Sequence, residues 1–116
     1  MPNTTSETLI KYLRAWTRDH DPHVRAAVEL LIWHGDGFWL RRHDFVTAAV
    51  VQRRGEAWID WDAARGFVDV GTRASSSEAA ILDLAVALGE NRYRLSIMGA
   101  AHSRAIADAV RQAVGL

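Results

Sequence analysis

Residues 75–89 read Ser-Ser-Ser-Glu-Ala-Ala-Ile-Leu-Asp-Leu-Ala-Val-Ala-Leu-Gly, and after Glu78 only Asp83 carries a charge. Ser75 at the N-cap accepts from the amide of Glu78, and the Glu78 carboxylate reaches back to the amide of Ser75, the reciprocal pattern of a capping box. Gly89 supplies a stop by its access to left-handed backbone. Between these ends Ile81, Leu82, Leu84, Ala85, Val86 and Leu88 point in nearly every direction around the helix. A helix that is apolar all round has to be covered all round. At about thirteen residues it is too short for a bilayer, which needs roughly twenty. The expected fold is therefore α+β and mainly helical. About five to six helices surround a buried central helix at 75–89, beside a small antiparallel hairpin or sheet.

The flanking segments supply the cover. Thr4 to Glu7 forms a second capping box, followed by Leu9, Leu13 and Trp16 on one face with Lys11, Arg14 and Arg18 off it. Asp21 caps a second helix with Pro22 in its first turn, where a missing amide hydrogen is harmless. Val24, Ala27, Val28, Leu31 and Ile32 form its stripe, and Gly35 ends it. Phe38, Trp39 and Leu40 are too apolar for a free loop and read as a plug, and Asp44 opens a short helix through Phe45, Val46, Ala48 and Ala49. Residues 50–61 then switch to period-two alternation, predicting a hairpin whose second strand reaches Trp61, with Arg53-Arg54-Gly55 near its tip. Asp60 or Asp62 caps a helix through Phe67 and Val68 that ends at Gly71. Tyr93, Leu95 and Ile97 alternate with Arg92, Arg94 and Ser96, predicting a third strand. A last helix, from about 103 to 114, gathers Ile106, Ala109, Val110, Ala113 and Val114 on one face.

All 116 residues fit one globular domain, 1–116, large enough to hold a core without staples. No cysteine is present, which removes disulfides, thiolate catalysis and cysteine-ligated zinc, and suits a cytoplasmic setting. Fourteen basic against fourteen acidic residues give zero net charge. That balance disfavours nucleic acid as the main partner and weakens the repulsion that keeps small proteins apart. No signal peptide or membrane segment is expected.

Catalytic and metal-binding patterns are thin. His20 and His23 lie among Asp19, Asp21 and a helix start, a weak ligand set, so no metal and no cofactor is assigned. His34 with Asp36, and His43 with Asp44, lack a third positioning group. The serines at 75–77 are explained by capping, and neither Gly-x-Ser-x-Gly nor a phosphate loop occurs, so no catalytic residue is assigned. Five tryptophans remain, an unusual number for this length. Tryptophan and arginine are enriched at interaction hot spots, so Trp39, Arg41, Arg42, Arg53, Arg54 and Trp58 are the candidate binding residues.

The segments Trp39-Leu40-Arg41-Arg42-His43-Asp44-Phe45, Ala57-Trp58-Ile59-Asp60-Trp61-Asp62-Ala63-Ala64 and Ser75-Ser76-Ser77-Glu78 carry a resemblance. Over residues 22–116 the chain resembles small uncharacterised actinobacterial helical proteins. The resemblance implies a fold of caps, aromatic plugs and core helices, and no activity or catalytic residue comes with it.

The leading functional expectation is a non-enzymatic protein-interaction module, self-associating, with a protein partner or homo-oligomer and no membrane. A winged helix-turn-helix-like DNA-binding protein is the alternative, with Thr47 and Gln52 facing bases and Arg41, Arg42, Arg53 and Arg54 facing phosphates. A small hydrolase or metal-dependent enzyme built on the histidines is the second alternative.

Overall fold

In a computed structural model, which describes residues 5–116, the chain is mainly helical with one two-stranded antiparallel sheet among the described residues. Among the described residues six α-helices appear in the order α1 (Ser6–Thr17), α2 (Pro22–Trp33), α3 (His43–Ala49), α4 (Trp61–Val70), α5 (Ser76–Gly89) and α6 (Ser103–Ala113). The hairpin β1 (Val50–Arg53) and β2 (Glu56–Ile59) separates α3 from α4.

Helix α5 is the organising element, and its capping box is complete. Ser75 Oγ accepts from the Glu78 amide at 3.3 Å, and the Ser75 amide donates to Glu78 Oε1 at 3.0 Å. Its most extensive contact is with α2, and α4 covers a second side. Leu82, Ala85, Val86 and Ala87 are buried. Cover on all sides is not achieved, because Leu84 remains 46% exposed beside exposed Asp83. Gly89 does not act as a left-handed stop either. It is buried within the helix, and the Trp61 ring lies where a Cβ would sit. The left-handed residue is Asn91, at φ +55°, and the Arg92 amide closes the turn onto the Ala87 carbonyl at 2.9 Å.

The remaining elements enclose one core. Leu9 and Leu13 of α1, Val28 and Leu31 of α2, Phe45 and Ala49 of α3, Ala57 and Ile59 of β2, and Ala64 of α4 meet α5 there. Trp39, fully buried, forms its centre. Its ring meets Phe38, Phe45 and Phe67 edge-on at centroid distances of 5.1, 6.0 and 6.1 Å, and its indole N–H donates to the Glu78 carbonyl at 3.1 Å. Edge-to-face contact is the arrangement aromatic quadrupoles favour, and the hydrogen bond satisfies the ring's one polar atom. The plug read from Phe38, Trp39 and Leu40 is thus a 3-10 turn (Trp39–Arg41) inserted between α2 and α3.

Several boundaries differ from the sequence reading. Thr4 lies outside the described residues, and the cap present on α1 is Thr5, whose hydroxyl accepts from the Thr8 amide at 3.2 Å. Asp21 occupies the N-cap of α2 without a side-chain cap bond. Trp61 is not in the second strand but opens α4, which Asp60 caps through the Ala63 amide at 3.1 Å. The hairpin register pairs Val50 with Ile59 and Arg53 with Glu56, leaving Arg54 and Gly55 as the turn, with Gly55 at φ +68°.

The expected third strand is absent. Residues 91–93 form a turn, Arg94 is left-handed at φ +54°, and Leu95–Ile97 is a 3-10 turn resting against α2. Leaving α5 beside α2 puts this segment away from the hairpin, whose β2 packs on α1, so no strand edge is within its reach. A left-handed residue in its middle breaks the extended run that alternation suggested.

Candidate interaction surface

The arginine and tryptophan residues singled out in the sequence divide by location. Trp39 is 0% exposed and has no surface to offer a partner. Arg41 is tied to its own loop, with Nη2 donating to the Gly35 carbonyl at 2.8 Å and Nε to the Asp36 carbonyl at 3.2 Å. Arg42 lies over the rings of Phe38 and Trp39, its Cζ 5.6 and 5.2 Å from their centroids. It forks onto Asp44, with Nη2 to Oδ2 at 2.7 Å and Nε to Oδ1 at 3.1 Å, and reaches the Arg73 carbonyl. The hydrogen bonds from Arg42 hold the Asp44 carboxyl below the usual carboxylate range. These two arginines brace the α2–α3 connection. Arg53, Arg54 and half-buried Trp58 do sit together at the hairpin, where the Arg53 guanidinium lies 5.8 Å from the Trp58 ring centroid.

Three of the histidines, His20, His23 and His34, serve packing. His23 directs Nδ1 at the Leu88 carbonyl, 3.0 Å away, which fixes that nitrogen as the donor, while Nε2 lies 3.7 Å from Asp21. His20 packs on Trp16 and His34 on Phe38, with centroids 5.0 and 5.8 Å apart. His43 Nε2 is 3.4 Å from the Thr47 hydroxyl. No group of three or more acidic or histidine side chains among the described residues is placed to hold a metal ion. A second arginine cluster is also internal. Arg65 of α4 binds Glu90 at 2.8 Å and Asp83 at 2.9 Å, with its side chain mostly covered, so it rivets α4 to α5. Those carboxylates raise its pKa above the ordinary arginine value.

The surface that stands out is one the sequence reading did not select. Beyond Asn91 the chain runs as an arm, residues 93–116, that makes almost no core. Helix α6 has no buried residue, and its substantial contact is with the 3-10 turn (Ala100–His102) that leads into it. Most of its apolar face is therefore in water, with Ile106 half-buried but Val110 57% and Val114 65% exposed, and Leu116 beyond it 83% exposed. Arg104, Asp108 and Arg111 fall on the opposite side of the helix. At the root of the arm an open cleft of about 710 Å³ lies between the start of α2 and the lead-in. Pro22, Ala26, Leu95, Ile97 and Ala100 supply its apolar walls, and Asp21 and His23 stand at its edge.

The signal that could have found this surface was present. The stripe of Ile106, Ala109, Val110, Ala113 and Val114 needs a partner face, and α2 and α4 already cover two sides of α5. No helix among the described residues is long and apolar enough to cross a membrane. No family model, curated protein or solved structure matches the chain, so the surface and its geometry carry the functional reading.

Proposed function

We propose that this chain is a non-enzymatic protein-interaction module that self-associates, with the arm at residues 93–116 as its docking element. One observation carries the reading: a helix whose apolar face, apart from half-buried Ile106, is exposed projects from a finished core and contributes no residue to it. Isolated helices of eleven residues are marginal in water, because nucleation is unfavourable and little packing offsets it. A partner that covers the face of α6 supplies that packing. Zero net charge removes the long-range repulsion that would oppose contact between copies.

The DNA-binding alternative is weakened by the same geometry. Two of its four phosphate-facing arginines, Arg41 and Arg42, are engaged with carbonyls and with Asp44, and its recognition helix is only the seven residues of α3. Of the histidines on which the enzymatic alternative draws, His20 and His34 are occupied with ring packing and His23 with a backbone carbonyl.

Sedimentation equilibrium on the intact chain, from low to high micromolar concentration, tests the reading. A rise in mass toward twice 12.9 kDa is expected. A constant monomer mass across that range rejects it.

A further inference from the structure

The hairpin tip holds a group of residues that neither the core nor the arm uses. Between α1 and β2 lies a pocket of about 260 Å³ whose walls include Tyr12, Trp16, Gly55, Glu56 and Trp58. Tyr12 and Trp16 stand four apart on α1, which puts both rings on one side of that helix. Along β2, Ala57 and Ile59 turn into the core, while Glu56 stays exposed and Trp58 half-buried. Tyr12 and Trp16 pack on the margin of the core, whereas Trp58 does not. Gly55, in the turn, has open space where a side chain would stand. None of these residues belongs to the arm.

The charges at this tip are uncompensated. Arg53 stands opposite Glu56 in the hairpin register, where opposite charges ordinarily pair across strands. Its guanidinium instead lies over Trp58, 5.8 Å from the ring centroid. Among the described residues Arg53, Arg54 and Glu56 make no ion pair, while Arg14, Arg42 and Arg65 are each bound to carboxylates. Two open guanidinium groups beside one carboxylate give the rim a positive excess, which favours an anionic ligand. That ligand also has to present a flat group to the rings. Pockets that enclose a whole small ligand measure about 300–1,000 Å³, so this one suits a single planar group whose charged remainder lies outside, on the arginines. A base on a phosphate backbone has that form, because aromatic rings stack any base and basic side chains track the phosphates. Glu56 supplies an acceptor for the exocyclic amino group of a base. An acidic peptide would instead bring its carboxylates against Glu56.

We propose that the pocket between α1 and the hairpin binds single-stranded nucleic acid, one base stacking among Tyr12, Trp16 and Trp58 while Arg53 and Arg54 hold the flanking phosphates. The site goes beyond the self-association reading and stands whether or not copies pair through α6. Fluorescence anisotropy of a short 5′-labelled oligodeoxycytidine, titrated with the intact chain between about 50 and 200 mM salt, tests it. Binding that weakens as salt rises is expected. Trp58→Ala is expected to lose roughly five- to a hundredfold in affinity, and Trp58→Phe, which keeps a stacking face, to lose less. Replacing Arg53 and Arg54 together by Gln lowers the slope of log affinity against log salt by about 1.4, two phosphates at about 0.7 each. Those arginines are exposed and their side chains make no hydrogen bond among the described residues, so that variant keeps the fold even where Trp58→Ala does not. No binding at the lowest salt, equal binding to a duplex of the same length, undiminished binding by folded Trp58→Ala, or an unchanged slope in the double-arginine variant overturns the proposal. Displacement of the oligonucleotide by a glutamate–tyrosine copolymer at equal charge concentration overturns it in favour of a peptide surface. Displacement by an equal molar concentration of cytidine monophosphate overturns it in favour of a free-nucleotide pocket.

Discussion

Gly89 shows how much a single absent side chain can decide. Its φ is ordinary for a helix, so alanine there would normally stabilise by about 0.5–1 kcal/mol through backbone entropy. Here the Trp61 ring occupies the space a Cβ needs, and Trp61 is itself held between α5 and Trp16, whose ring centroid is 6.5 Å away. The clash outweighs the entropy gain, because overpacking a filled site costs about 1–3 kcal/mol. Gly89→Ala is therefore expected to lower stability by about 1–2 kcal/mol in urea unfolding, and adding Trp61→Leu is expected to recover part of that loss. The wrong sign for the single variant would mean that the ring does not rest on the glycine. Sequence could not supply this role for Gly89. A glycine at the end of an apolar helix reads as a stop by local rules, whereas close approach depends on a ring 28 residues earlier in the chain. Trp39 carries two sequence readings, core plug and binding residue, because tryptophan is enriched both in cores and at interfaces, and its three aromatic neighbours place it in the core.

At the scale of elements, what was legible is what is local. The Ser75–Glu78 box, the Asp60 cap and the stripes of α1 and α2 depend on residues three or four apart, and all are present in the structure. What failed depended on a distant partner: residues 93–97 alternate like a strand but have no strand edge to join. The capping box also makes α5 sensitive to acid. Hydrogen bonds from the Ser75 amide and hydroxyl hold the Glu78 carboxyl below its ordinary range. A carboxyl depressed in the folded state contributes stability that is complete above the unfolded pKa and is lost as pH falls through the folded one. Asp44, depressed by Arg42, acts in the same direction. Glu78→Gln keeps an acceptor oxygen for the Ser75 amide but does not titrate. The urea midpoint of the parent is expected to fall between about pH 5 and pH 3, and that of Glu78→Gln to fall by less. Equal falls in the two proteins would remove Glu78 from the acid response.

The whole molecule has a finished core from α1 through α5 and an arm that adds surface without adding core. Those two parts answer differently to the same perturbation, which gives the most direct test of the assembly. Val110 belongs to the α6 seam and to no core contact, so Val110→Asp leaves the unfolding of an isolated copy unchanged within about 0.5 kcal/mol. In a pair of copies joined through α6 the same carboxylate would be trapped in an apolar seam, at a cost of several kcal/mol for an unpaired buried charge. Each 1.4 kcal/mol of that cost is tenfold in dissociation constant, so a loss of at least a hundredfold in affinity is expected. Association that favours the folded state raises the unfolding midpoint with protein concentration by mass action. The parent chain is therefore expected to show a midpoint that climbs between low and high micromolar protein, and Val110→Asp a midpoint that does not, the two curves meeting at the lowest concentration. A parent midpoint independent of concentration would leave α6 without a partner copy. A Val110→Asp protein less stable than the parent even at the lowest concentration would place α6 on the core of its own chain instead.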